Sequence, residues 1–112
     1  MTPEVHRLRS ISNLDEVVVG DLVLLELLQG ARSERDATRI RDGLRLFRAA
    51  SMLDEDIAIA AARNYRQLRG IGIGIRRTTM IIGTFCIQNG HRLLHRDRDF
   101  DHMQQHLGLQ VY

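Results

Sequence analysis

Near the C-terminal end of the chain, Asp97-Arg98-Asp99-Phe100-Asp101 gathers three carboxylates shortly after the apolar pair Leu93-Leu94. Carboxylates just beyond a strand are where an α/β protein can hold a divalent metal, because ligands collect outside the carboxyl ends of parallel strands. Magnesium and manganese prefer hard oxygen ligands. A pair of such ions can activate a water and stabilise the leaving oxygen of a phosphodiester. The acids that hold them come from distant parts of a chain, so partners for the cluster must be sought elsewhere. Glu26 stands alone in the apolar run Leu22–Gln29, and Asp21 follows a predicted strand. Glu26, Asp97 and Asp99 are the candidate metal ligands. Each also has an ordinary structural role open to it: a salt bridge or boundary position for Glu26, a turn and helix cap for Asp97 and Asp99.

The positive charge is unevenly spread. Net charge is only +2, yet Ile57 to Arg96 holds seven arginines and no Asp or Glu. Arginine grips phosphate bidentately. Arg76, Arg77, Thr78 and Arg96 are the candidate substrate-binding groups of this half, against the alternative of a solvated basic face. Other chemistries are poorly served. No Ser or Cys sits in a nucleophile elbow, and Cys86 lies in an apolar run that suits a buried thiol. His102 and His106 are one helical turn apart but lack the glutamate of a zinc-protease motif. Gly70, Gly72 and Gly74 alternate with isoleucines, which is neither a dinucleotide fingerprint nor a P-loop.

The elements that must position these groups follow from pattern. A chain of 112 residues with 44% hydrophobic content allows one domain with a modest core. There is no transmembrane-length apolar stretch and no signal-peptide pattern, so a cytoplasmic protein is expected. Residues 4–12 have the spacing of a helix end. Val17-Val18-Val19 predicts a strand, and Asp21 an N-cap for a helix over Leu22–Gln29, apolar enough to be mostly buried. Ser33 with Asp36 opens a helix to about Phe47 or Arg48. A strand over Ala50–Leu53 and a helix from Asp54 to Leu68 follow, the latter with Ile57, Ala61, Tyr65 and Leu68 on one side. Thr78 or Thr79 caps a helix over Met80–Gln88. A strand at Arg92–Leu94, a helix over Phe100–Leu107 and a strand over Leu109–Tyr112 complete the chain. Helices alternating with short strands predict a three-layer α/β domain with a mainly parallel sheet.

Three segments in order, VVVGDLVLLELLQG (17–30), GIRRTTMIIGTFCIQNG (74–90) and HRLLHRDRDFD (91–101), resemble the PIN-domain ribonucleases, in particular VapC toxins of bacterial toxin–antitoxin modules. The similarity extends through nearly the whole chain. It implies a PIN-like α/β/α domain that binds Mg²⁺ or Mn²⁺ through three or four acids and cleaves RNA such as tRNA or rRNA. It also implies a VapB-type antitoxin as partner and a homodimer. By the resemblance, Glu26 matches the glutamate of the first full helix, Asp97 the acid of the Thr-x-Asp-x-Asp-Phe-like element, and Asp99 the second acid there. Glu26 and Asp97 would then be the catalytic residues.

The chain departs from the family pattern in three places. His95 stands where the family has threonine. The acid expected after Thr79 is absent, and that stretch is one residue short. The family's opening strand with its Asp motif is not found, so residues 1–112 are read as one PIN-like domain incomplete at its N-terminus. With two carboxylates fewer, divalent binding should weaken and cleavage should be impaired. The alternative is a catalytically inactive PIN-like module that binds an antitoxin or dimerises.

Overall fold

The structure is a computed structural model and describes residues 17–95 and 97–112. The helix expected over residues 4–12, the question of an earlier strand, and Arg96 fall outside the described residues. Two compact units divide the chain between Ser51 and Met52.

The described part of the first unit runs β1 (Val18–Gly20), α1 (Asp21–Gln29), α2 (Glu34–Leu44), β2 (Arg48–Ala50). β1 and β2 pair in parallel, Val18 opposite Arg48 and Gly20 opposite Ala50. The ladder therefore takes Arg48–Ala50 as its second strand instead of the expected Ala50–Leu53, and α2 ends at Leu44 to leave room for the turn. Asp21 is not the N-cap. Gly20 holds that position in extended conformation, and the Asp21 carboxylate accepts a 2.8 Å bond from the Leu22 amide within the first turn. An acid there also complements the helix dipole. α2 opens with a reciprocal cap: Ser33 Oγ accepts from the Asp36 amide, and Asp36 accepts from the Arg32 amide, both at 3.1 Å.

No residue of α1 is fully buried, and Leu25 is 50% exposed. This corrects the expectation of a mostly buried helix. The helix carries apolar residues round most of its circumference, and among the described residues of its own unit one helix and one two-stranded ladder leave part of that surface exposed.

The second unit runs α3 (Glu55–Arg69), α4 (Arg77–Asn89), β3 (Arg92–Leu93), α5 (Asp99–Leu107), β4 (Gln110–Val111). Asp54 caps α3 by accepting from the Ile57 amide at 2.8 Å. Ile57, Ala61 and Leu68 are buried along α3, whereas Tyr65 is half-exposed. At about 100° per residue, Tyr65 has drifted about 80° round the helix from Ile57, while Leu68 returns to within about 20°.

α4 packs against both α3 and α5 and carries Met80, Ile82, Thr84 and Cys86 into the core. It begins a turn earlier than expected, with Arg76 in the N-cap position and no side-chain cap. Thr78 and Thr79 therefore lie inside the first turn instead of capping it. Gly90 closes α4 at φ 67°, a left-handed conformation that favours glycine. β3 and β4 form a second parallel ladder, Arg92 opposite Gln110 and Leu93 opposite Val111. Among the described residues the parallel pairing thus takes the form of two two-stranded ladders, with helices connecting their strands. No helix there is long and apolar enough to cross a membrane.

Candidate functional site

Asp97 follows β3 and precedes α5, and one of its carboxylate oxygens directs the turn between them. Its Oδ1 accepts a 2.9 Å bond from the Asp99 amide, and its backbone carbonyl accepts one from the Phe100 amide. Short polar side chains favour such turns because they bond to the backbone two residues on. The structural role open to Asp97 in the sequence is therefore real.

The other oxygen faces the start of α4. Arg76 Nη2 donates to Asp97 Oδ2 at 2.8 Å, and the Thr79 hydroxyl donates to the same oxygen at 3.3 Å. Arg76 Nη2 also donates to Thr79 Oγ1 at 3.3 Å, closing a three-membered network. Thr79 is buried, while the Arg76 side chain is 65% exposed and that of Asp97 30% exposed. Partial burial acts to raise the Asp97 pKa. The Asp99 amide, the Arg76 guanidinium and the Thr79 hydroxyl outweigh it and hold the carboxyl below its ordinary value.

Thr79 is the residue that sequence reasoning missed here. Its place one turn after Arg76 was the available signal, since residues three apart on a helix lie on one face.

The remaining candidates are differently placed. Asp99 is half-buried in the first turn of α5. Arg77 is exposed and, with Arg66, lines an open apolar groove beside Ala58, Ala62 and Tyr65. Thr78 is half-buried in α4. Glu26 belongs to the first unit, half-buried on α1. His95 tilts its ring against Phe100, centroids 4.8 Å apart, and its Nδ1 is buried with no hydrogen-bond partner among the described residues.

The PIN-domain family matches residues 2–105. The chain belongs to that family. Its relatives include VapC ribonuclease Mb1587 of Mycobacterium bovis and ribonuclease VapC11 of Mycobacterium tuberculosis. Each is 32% identical over 112 residues, covering 96% of this chain and 81% of the relative. Among solved structures, VapBC2 of Rickettsia felis, determined bound to a fragment of promoter DNA, matches with a TM-score of 0.77. That likeness covers 96% of this chain and 82% of the other at 13% identity, and supports the PIN fold.

PIN-domain ribonucleases of the VapC type in general depend on a divalent metal. The described residues of this PIN domain do not by themselves gather a ligand set for one. No group of three or more His, Cys, Asp or Glu side chains converges among them. The first turn of α4 carries no acid, and both oxygens of Asp97 already accept hydrogen bonds from the protein.

Proposed function

We propose that this chain is the toxin component of a toxin–antitoxin pair, a VapC-type endoribonuclease by descent whose cleavage of RNA phosphodiester bonds is weakened in this sequence. The observation that carries it is the 32% identity to VapC ribonucleases across 96% of the chain. The partner would be a VapB-type antitoxin, and the substrate a structured RNA of the tRNA or rRNA kind. A homodimer working in the cytoplasm accords with this assignment. Glu26 and Asp97 are the carboxylates on which residual chemistry would depend, with Asp99 as a further candidate ligand. Arg77, Thr78 and Arg96 are proposed to meet substrate phosphates. Arg76, placed with them by sequence, already pairs with Asp97.

A second role is favoured by one specific observation. Asp97 is satisfied by protein donors and has no acidic neighbour in the first turn of α4. Such a chain could retain antitoxin binding as an interaction module without cutting RNA.

Incubation of the purified chain with total RNA and Mn²⁺, beside Glu26→Gln, separates the two. Weak cutting that Glu26→Gln abolishes supports a weakened ribonuclease. Robust cutting abolished by the same change contradicts the weakening. No cutting, together with tight binding of a VapB-type antitoxin, supports the interaction module. The absence of both cutting and antitoxin binding would contradict the toxin assignment itself.

A further inference from the structure

We propose that Arg76 is the resident counter-cation of Asp97 and the residue that decides whether this carboxylate can take a divalent ion. A carboxylate offers about four lone-pair positions. Arg76 and Thr79 use Oδ2, and the Asp99 amide uses Oδ1. A metal approaching Oδ2 would have to sit beside a guanidinium already 2.8 Å from that oxygen. Two like charges at such separations repel strongly.

The guanidinium is held from two sides. Its Nη2 bonds both Asp97 and Thr79, and Arg76 occupies the N-cap position of α4 in extended conformation. Buried Thr79 anchors the contact from within the helix. Arginine does not lose its proton in proteins, so the counter-cation persists at any working pH. The first turn of α4 provides no carboxylate to tip the balance toward a doubly charged ion. Arg76 thereby acts as a positioning residue: it holds Asp97 in place and at the same time neutralises it.

This role goes beyond the proposed ribonuclease and holds whether or not the chain cuts RNA, because its test reads ion binding. The full chain, Arg76→Gln, Arg76→Lys and the double variant Arg76→Gln/Asp97→Asn are titrated calorimetrically with Mn²⁺. Weak binding is expected for the full chain and for Arg76→Lys, which keeps the charge. Arg76→Gln should bind more tightly by about tenfold, a gain kept modest by solvent screening of the exposed guanidinium. The double variant should lose that gain. An Arg76→Gln affinity within about twofold of the full chain, or a gain that survives Asp97→Asn, overturns the proposal.

A second measurement needs no variant to fold. With Mn²⁺ added to the isotopically labelled full chain, paramagnetic broadening should spare the Asp99 amide, which bonds Asp97 directly. Selective broadening of that amide at sub-millimolar Mn²⁺ overturns the proposal. Failure of RNA cleavage, by contrast, bears on the ribonuclease reading and leaves the ion result standing.

Discussion

The thioether of Met103 on α5 packs against the bare Cα of Gly83 in the middle of α4. A Cβ at position 83 would overlap both Met103 Sδ and Cε, with Phe100 Cε1 next at 3.7 Å. Met103 is fully buried and Gly83 lies on the buried face of α4. The missing side chain lets the two helices of the second unit approach closely enough to position the turn that carries Asp97.

Gly83→Ala brings two opposing effects. Replacing a helical glycine by alanine favours the helix by about 1 kcal/mol. Overpacking costs about 1–3 kcal/mol, and here the clash falls on the flexible end of a methionine that has little room to move. Net destabilisation is expected to be small for Gly83→Ala and larger for Gly83→Val, which adds bulk and β-branching. Urea unfolding midpoints would show that order. In Gly83→Ala/Met103→Ala the new methyl should recover part of the cavity cost of Met103→Ala. Strict additivity of the two single changes would exclude the contact as the cause.

The Asp97 network gives stability a pH dependence of definite sign. Its folded-state pKa is held below the ordinary carboxylate value, with the Asp99 amide and Arg76 outweighing burial. The contribution is therefore fully present above the unfolded value of about 4 and is lost as pH falls through the folded value. Thermal unfolding from pH 7 to pH 2 should show a steeper acid-side loss in the native chain than in Asp97→Asn. Parallel curves would mean that the pair adds nothing. Raising salt should shrink the difference, since the pair is partly exposed.

How much of this was legible in the sequence depends on the range of the interaction. Ser33 and Asp54 act as caps, as their positions before helical runs predict, because a cap is a contact within four residues. Gly90 closes α4 for the same local reason. The turn at Asp97 was legible from its neighbours alone, being a contact two residues long. The pairing of Asp97 with Arg76 spans 21 residues, and no periodicity encodes a contact of that length. The start of α4 was misjudged because threonines look like caps, whereas here Thr79 is buried one turn after Arg76 and bonds Asp97. The exposure of α1 was equally hidden, since apolar composition says that a surface wants cover and not whether its own unit supplies it.

A second long-range bond predicts an asymmetric mutational result. Asn64 on α3 donates from Nδ2 to Thr84 Oγ1 on α4 at 3.0 Å, and Thr84 is fully buried. Thr84→Val keeps the volume but removes the acceptor, leaving the Asn64 amide to find another partner at a half-buried position. A cost of about 1–3 kcal/mol is expected, measured by urea unfolding. In the double variant Thr84→Val/Asn64→Ala the stranded donor is gone, so the pair should cost less than the sum of its parts. Equal costs with and without the Asn64 amide would show that Thr84 matters only as shape.

Cys86 offers a probe of how firmly α4 is held. The thiol is buried among apolar neighbours, and desolvation pushes its pKa up to about 11. Only the thiolate attacks an alkylating reagent, so at pH 8 the native chain is protected twice, by access and by protonation. Iodoacetamide should label it far more slowly than the urea-unfolded chain, in which the thiol returns to an ordinary pKa of about 8.5. If labelling proceeds through opening of α4, its rate should rise in step with destabilisation by Gly83→Val and Thr84→Val, both on the same helix. A native rate matching that of the unfolded chain would place the thiol at the surface and contradict the packing of α4.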